Sequence, residues 1–136
     1  MISQPNITYR THDALQTAEI VAVYQNAGLN RPVDDLELIG QMYQNSNLVI
    51  SAWDGDQLIG VARSLTDFCY CCYLSDLAVK QDYQKLGIGK RLIELTRKAI
   101  GEGSMLLLLS APGAMDYYPK VGFDKVENGF MIKRKV

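Results

Sequence analysis

The segment between residues 70 and 109 constrains the fold more than any other part of the chain. It predicts a strand over Tyr70–Val79, a glycine-bearing turn over Gln84–Gly89, a helix, and an apolar strand over Met105–Leu109. In the helix, apolar residues at 88, 92, 95 and 99 lie on one face, because they are spaced by four, three and four. The unbroken apolar run is typical of a strand that is buried on both faces. The order strand, helix, strand indicates an α/β protein.

The rest of the chain predicts further strands and three more helices. Asp54-Gly55 between two apolar runs is a strong hairpin signal. The remaining predicted elements are a strand over Ile7–Arg10, a helix from Asp13 to about Gly28, a helix from Asp34 or Asp35 through Met42, hairpin strands over Leu48–Trp53 and Leu58–Ser64, a short helix over Ala114–Tyr118, and a final hairpin of Phe123–Val126 with Phe130–Lys133. The length of 136 residues predicts one domain over 1–136 with a mixed sheet.

Charge is distributed unevenly along a chain whose net charge is only −1. Residues 1–76 hold three Arg and Lys against nine Asp and Glu, a net −6, whereas residues 77–136 hold eleven against six, a net +5. This asymmetry indicates an anionic ligand on the C-terminal half, although charged runs are more often solvated surface. The longest aliphatic run, Leu106–Leu109, is far below the ~20 residues of a membrane span, so we expect no membrane partner.

Cysteine usage and the start of the chain predict a cytoplasmic protein. Three cysteines, Cys69, Cys71 and Cys72, lie within one predicted strand, which is no disulfide framework and favours a reducing compartment. A strand places 71 and 72 on opposite faces, and no further Cys or His has zinc spacing, so we expect packing thiols and no metal. The first ten residues do not resemble a secretory signal.

The turn Gln84-Lys85-Leu86-Gly87-Ile88-Gly89-Lys90 has the composition of an anion site. A glycine turn between a strand and a helix aims free backbone N–H groups and the positive helix end at an anion. Lys85, Lys90 and Arg91 add positive charge, while the alternative is a plain tight turn.

Two other phosphate-binding motifs, the P-loop and the dinucleotide fingerprint, are excluded by the residues of this turn. A P-loop needs glycine at 84 and Ser or Thr at 91, and a dinucleotide fingerprint needs glycine at 92.

Three segments in order resemble the Gcn5-related N-acetyltransferase (GNAT) superfamily. Gln84, Gly87 and Gly89 match the family pattern Gln/Arg-x-x-Gly-x-Gly/Ala of the acetyl-CoA pyrophosphate loop. The stretch Leu74–Val79 resembles the strand before that loop, and Tyr117–Phe123 resembles the family segment Phe-Tyr-x-Lys-x-Gly-Phe. The resemblance covers about residues 58–126. It departs from the family at 111, where alanine replaces a frequent asparagine.

The resemblance implies a fold and a set of roles. The implied fold is a mixed, mostly antiparallel sheet flanked by helices, with the strands over Tyr70–Val79 and Met105–Leu109 parallel and splayed apart around acetyl-CoA. The residues implied to bind the cofactor are Leu77, Ala78, Val79, Gln84, Lys85, Leu86, Gly87, Ile88, Gly89 and Lys90. Tyr118 is the implied general acid, and the loop with Arg31 is the implied acceptor site.

The base and the acceptor stay open at this stage. Asp76 is the better placed candidate base and Asp67 a weaker one, because an amine must lose a proton before it attacks. A structural ion pair is an equal alternative for Asp76. Tyr117 is predicted to be core. The leading function is acetyl transfer to a primary amine of a small molecule or a protein, the alternative is a non-catalytic acyl-CoA sensor, and the near-zero net charge argues against nucleic acid. Whether the chain forms a homodimer is not indicated.

Overall fold

The computed structural model describes residues 4–136, and in this range five strands form one sheet in the order β1-β2-β3-β4-β5. The strands are β1 Ile7–Thr11, β2 Leu48–Asp54, β3 Gln57–Thr66, β4 Cys71–Val79 and β5 Met105–Leu107. β1 to β4 pair antiparallel, and β4 pairs with β5 in parallel. The predicted α/β class and the mixed, mostly antiparallel sheet are confirmed.

In the described part of the chain, four α-helices accompany the sheet: α1 Thr17–Ala27, α2 Leu36–Gln44, α3 Ile88–Ile100 and α4 Tyr117–Lys120. α1 ends at Gly28, whose φ of 75° is the left-handed conformation in which glycine commonly stops a helix. α2 begins after Asp35, whose carboxylate accepts the amide of Leu38 at 3.0 Å as an N-cap. Among the described residues, no helix combines the length and the apolar character needed to cross a membrane.

The sheet lies between two apolar layers. On one face Leu92 and Ile93 of α3 pack against Leu48, Ile50 and other strand residues. The opposite face is covered by α1 and α2, in a second cluster built from Ile20, Val23, Tyr24, Ile39, Trp53, Leu58, Val61 and Ala78. Side chains alternate between the faces along each strand. β4 therefore lies in the middle of the molecule with helices on both sides.

β4 and β5 diverge after a short paired stretch. The parallel pairs are Cys71 with Met105, Cys72 with Leu106 and Tyr73 with Leu107, and pairing then stops although β4 continues to Val79. The amide of Lys80 donates to Ile59 O at 2.9 Å, on the β3 side. Because hydrogen bonding alternates along an antiparallel ladder, the backbone groups of Leu77 and Val79 point away from β3 into the gap. The splayed pair is confirmed.

Two predictions for the C-terminal part are wrong. Met105 of β5 is 56% exposed, and Leu109, which lies beyond the end of β5, is 57% exposed. The apolar run is therefore not buried on both faces, because β5 is the edge strand of the described sheet. The predicted final hairpin does not form: residues 124–136 contain no strand, and Phe130 and Ile132 are 100% and 96% exposed. A two-stranded hairpin is marginal without a sheet to join, and β5 pairs over only three residues.

Pro119 lies inside α4, so the short helix does not end at Tyr118 as predicted. It is the third residue of this four-residue helix. The amides of a first helical turn have no acceptor within the helix, so proline costs no hydrogen bond there. The helix ends one residue later, at Lys120.

Candidate active site

The predicted phosphate turn leads from the end of β4 into α3. A 3₁₀ turn over Gln81–Tyr83 is followed by Lys85 at φ 68° and Gly87 at φ 79°, and Gly87 caps the start of α3. The first amide that bonds back to this turn is Arg91 N, which donates to Gly87 O at 2.9 Å. Within residues 4–136, the amides of 85–90 have no backbone or side-chain acceptor. Six free N–H groups at a positive helix end are the arrangement that an anion site requires, and anion binding by this turn stays a prediction.

The two glycines of this turn are needed for different reasons. Gly87 has a left-handed backbone, which penalises any residue with a Cβ, although a Cβ there would meet no atom within 4 Å. Gly89 is in the first turn of α3, where other residues are allowed. A Cβ on Gly89 would however lie 2.8 Å from the hydroxyl oxygen of Tyr117. The hydroxyl end of Tyr117 therefore lies against the first turn of α3 at Gly89.

Gln84 has a contact that the sequence did not indicate. Its Nε2 donates to Val79 O at 2.9 Å and so ties the turn to the last residue of β4. This bond takes up one of the two backbone oxygens that face the gap. The gap and the anion site are thereby held as one surface, with the Leu77 backbone still free among the groups predicted to contact the cofactor.

Asp76 is the centre of a buried polar cluster. Its side chain is fully buried, and Oδ1 accepts Arg31 Nε at 2.7 Å and Ser75 Oγ at 3.1 Å. Oδ2 accepts Arg63 Nε at 2.8 Å and Tyr24 Oη at 2.6 Å. Because an ionised carboxylate has about four acceptor positions, these donors use all of them.

The charges around Asp76 control its protonation. Burial alone would raise the pKa of Asp76, but the hydrogen bonds from Arg63 and Tyr24 and the two guanidinium charges lower it below its usual value. Asp76 is therefore ionised at neutral pH and weakly basic. Its role as the base stays a prediction: a proton from the acceptor has to displace one of the four donors to reach it.

A tyrosine relay extends from this carboxylate to α2. Tyr24 Oη donates its proton to Asp76, so Tyr43 Oη is the donor in the 2.5 Å hydrogen bond between the two tyrosines. Burial, first of all, raises the pKa of both tyrosines, so both stay neutral. Neither tyrosine was indicated as a site residue by the sequence. The usable signal was Arg63, a lone charge in an apolar strand, because buried arginines require partners.

Arg31, predicted to contact the acceptor, bonds within the protein. Besides Asp76, its Nη2 donates to Ser75 O at 2.7 Å and its Nη1 to Asn30 O at 2.7 Å. Its side chain is 28% exposed, so part of it still faces solvent. Arg31 joins the loop between α1 and α2 to β4, and its predicted contact with an acceptor stays a prediction.

Asp67, the weaker candidate base, organises the loop between β3 and β4. Its Oδ1 accepts the amides of Tyr70 at 2.7 Å, Cys69 at 2.9 Å and Cys71 at 3.1 Å. These backbone bonds, that of Tyr70 above all, lower the pKa of Asp67. A carboxylate that already accepts three amides is a poor proton acceptor.

Tyr118 lies between Tyr117 and Phe123 at the edge of the core. Its ring makes edge-to-face contacts with Tyr117 at 5.2 Å and with Phe123 at 5.5 Å between centroids. Burial, followed by the neighbouring Tyr117, raises the pKa of Tyr118, so the hydroxyl keeps its proton at neutral pH. Tyr118 also lines a groove of about 1150 Å³ beside β5. Tyr117, predicted to be core, is 36% exposed, so that prediction is wrong.

The cysteines divide between surface and core. Cys72 is buried, whereas Cys69 and Cys71 are exposed, and all three are free thiols. The opposite orientation of 71 and 72 is confirmed, but only Cys72 is a packing thiol. In the part of the chain that the structure describes, no three His, Cys, Asp or Glu residues come together as a metal site would require.

Comparisons with known proteins agree with this geometry. A family model described as acetyltransferase (GNAT) domain matches residues 16–133. The uncharacterized N-acetyltransferase ycf52 of Pyropia yezoensis is 32% identical over 94 residues, which cover 63% of this chain and 53% of that protein. The chain thus spans about half the length of this curated relative.

Solved structures match over almost the whole chain. A protein of unknown function from meticillin-resistant Staphylococcus aureus, described as a probable acetyltransferase, superposes with a TM-score of 0.80 at 25% identity, covering 95% of this chain and all of that one. The aminoglycoside N-acetyltransferase AAC(6′)-Iy in complex with CoA gives a TM-score of 0.72 at 14% identity, covering 100% of this chain and 99% of that one, which shows the shared fold. The chain therefore belongs to the GNAT acetyltransferase family.

Proposed function

We propose that the chain transfers an acetyl group from acetyl-CoA to a primary amine, by direct attack of the amine in a ternary complex. The observation that carries this proposal is the row of free amides over residues 85–90, next to the gap between β4 and β5. A diphosphate needs such an anion site, and an extended thioester arm needs such a gap. Membership of the acetyltransferase family supports the same chemistry.

In this proposal acetyl-CoA runs from the turn into the gap. The amides of Lys85, Leu86, Gly87, Ile88, Gly89 and Lys90 would take the pyrophosphate, with the side chains of Lys85 and Lys90 adding charge. The backbone of Leu77, Ala78 and Val79 would follow the pantetheine arm, and Gln84 holds the two parts together through Val79 O. A neighbour in fold has been solved in complex with CoA, which supports CoA as a ligand of this fold.

The reaction needs a donor for the oxyanion, an acid that protonates the leaving thiolate and a base that accepts the proton of the amine. The Leu77 amide, which points into the gap, would stabilise the oxyanion that forms when the amine attacks the thioester; a donor of this kind is worth on the order of 3–4 kcal/mol. Tyr118 would protonate the departing CoA thiolate, and its raised pKa keeps that proton in place until it is needed. Asp76, directly or through water, would take the proton of the amine.

The acceptor and the compartment belong to the same proposal. A neighbour in fold acetylates aminoglycosides, so a small amine is a reasonable first class to test, beside protein lysine. A reducing, cytoplasmic setting is supported by the exposed free thiols of Cys69 and Cys71, because disulfides form readily in oxidising compartments and are rare in the cytosol.

The test is a screen of amines with acetyl-CoA as donor. Released CoA should be measured by chromatography, because Cys69 and Cys71 would themselves consume a thiol reagent. The matched control is Gly87→Asn, since asparagine tolerates the left-handed backbone but adds a side chain at the anion site. We expect turnover with at least one amine and its loss in the control. Tight acetyl-CoA binding without turnover on any amine would instead support the acyl-CoA sensor.

A further inference from the structure

One side chain ties the loop between α1 and α2 to β4. Arg31 lies in this loop and directs two donors at β4, Nε to Asp76 Oδ1 and Nη2 to Ser75 O, both at 2.7 Å. A third donor, Nη1, returns to the loop itself at Asn30 O, also at 2.7 Å. The guanidinium therefore holds the loop and the strand in a fixed relation.

The tie is made at an irregular point of β4. Arg63 of β3 is paired with Asp76, but the next residue, Ser64, is paired with Leu74, so Ser75 is an extra residue on β4. A bulge of this kind bends a strand and increases its twist. It lies between Tyr73, where pairing with β5 ends, and Leu77, whose backbone faces the gap. The bulge thus sets the direction in which the rest of β4 leaves β5.

Two arginines from different parts of the fold, Arg31 in the loop between α1 and α2 and Arg63 on β3, bond to this bulge. The carbonyl of Ser75 accepts Arg31, and its hydroxyl accepts Arg63 Nη2 at 2.9 Å. Both arginines also bond Asp76, the following residue. A bulge leaves its extra residue outside the ladder, so the Ser75 carbonyl depends on Arg31 for this bond.

We propose that Arg31 is a positioning residue that locks the Ser75 bulge and thereby aims the backbone of Leu77 to Val79 at the thioester. The inference rests on the proposed acetyl transfer. It differs from the predicted role of Arg31 as an acceptor contact, because Arg31 acts through β4 and needs no bond to the acceptor. Only a planar fork reaches Ser75 O and Asp76 together, so lysine keeps the charge but not the geometry.

The two roles of Arg31 predict different kinetic changes. A positioning residue affects the geometry of the reacting groups for every acceptor, and misplacement by about 1 Å costs roughly 100-fold in rate. Loss of positioning should lower kcat for all amines by about 10- to 100-fold and leave the KM for the acceptor nearly unchanged. Loss of a substrate contact should raise KM for carboxylate-bearing amines only.

The experiment compares Arg31→Lys and Arg31→Gln with Arg10→Gln as a matched control. Arg10 lies over the Trp53 ring at 4.1 Å and meets Asp13 at 3.9 Å on the surface, remote from β4 in the sheet. Two readouts are taken: amide hydrogen exchange of residues 74–79 without substrate, and kcat and KM with the amines that the parent acetylates. Arg31→Lys retains the charge and serves if Arg31→Gln does not fold.

We expect exchange over 74–79 to accelerate about tenfold in Arg31→Lys, because two hydrogen bonds are lost, while Arg10→Gln matches the parent. Unchanged exchange would overturn the lock, and accelerated exchange with unchanged kcat would overturn the positioning role. A parent that binds acetyl-CoA but acetylates no amine would refute the proposed function, and the positioning role of Arg31 would be refuted with it. The hydrogen-exchange measurement would still decide whether Arg31 holds the Ser75 bulge in place.

Discussion

The hydroxyl of Tyr117 lies over Gly89, where a Cβ would approach it to 2.8 Å. This contact joins α4 to the first turn of α3. Tyr117 precedes Tyr118 and their rings touch, so Tyr117 contacts both the candidate acid and the helix start that carries the free amides of 88–90.

Gly89→Ala should disturb the packing of α4 through Tyr117. Alanine favours a helix over glycine by about 1 kcal/mol, but its methyl group has to displace the Tyr117 hydroxyl. Tyr117→Phe removes the one atom that clashes, so the second substitution should recover stability lost in the first. We expect a coupling free energy of about 0.5–3 kcal/mol from denaturant unfolding of the four proteins. Strictly additive effects would show that the ring moves away freely.

The stability cost of replacing Gly87 should come from its backbone conformation alone. With no atom near its Cβ position, Gly87→Ala should cost about 1–2 kcal/mol of unfolding free energy, which is the penalty of the left-handed conformation. Gly87→Asn should cost less, since asparagine visits this conformation more readily. Both should weaken acetyl-CoA binding in calorimetry. Equal stability of the alanine and asparagine variants would mean that the turn relaxes to another backbone.

Local signals accounted for most of the fold. Asp54-Gly55 fixed a hairpin, Gly28 ended α1, and the glycines at 87 and 89 marked the turn before α3, because each acts on its immediate neighbours. The final hairpin failed because strand formation also depends on an available edge, and the length of β5 cannot be read from an apolar run.

The polar cluster could not be predicted for a different reason. Tyr24, Arg31, Arg63 and Asp76 come from α1, a loop, β3 and β4, and the contacts join residues 13 to 52 positions apart. No local pattern encodes such a meeting. The sequence identified Asp76 and Arg31 separately and gave each a role toward the substrate, whereas the structure shows that they bond each other.

Asp76→Asn should reveal the pH dependence of the buried cluster. The pKa of Asp76 is lowered in the folded state, so its contribution is fully present above its unfolded pKa of about 3.9 and is lost as pH falls through the folded value. At neutral pH the variant should lose about 3–5 kcal/mol of unfolding free energy, because two arginines lose their carboxylate. The difference in unfolding free energy between the parent and the variant should become smaller below about pH 4.

The control for this measurement is Asp13→Asn, whose carboxylate is 48% exposed and meets Arg10 at 3.9 Å. A surface pair of this kind contributes at most about 1 kcal/mol. A parent and an Asp76→Asn variant that differ by the same free energy at pH 3 and pH 7 would contradict the ionised state assigned to Asp76.

The same variant tests whether Asp76 is the base. If Asp76 accepts the proton of the amine, Asp76→Asn should lower kcat most below the pKa of the acceptor, where the amine needs deprotonation. The profile has to be measured under conditions where circular dichroism shows the variant folded. A pH–rate profile that keeps the parent's shape and height would assign Asp76 to the ion-paired cluster alone.

Tyr118→Phe should separate proton donation from packing. Phenylalanine keeps the ring and its edge-to-face contacts with Tyr117 and Phe123, so folding and acetyl-CoA affinity should be nearly unchanged. Only the proton donor is lost, and general acids contribute about 10²–10⁴-fold, so kcat should fall by that factor. The loss should be smaller with acyl donors whose thiols are more acidic, because these leaving groups need less protonation.

Tyr117→Phe is the matched control, as it removes the neighbouring hydroxyl, and it should keep most of kcat. If Tyr118→Phe turns over like the parent when chemistry limits the rate, or if Tyr117→Phe shows the larger loss, the proton reaches the thiolate from Tyr117 or from water.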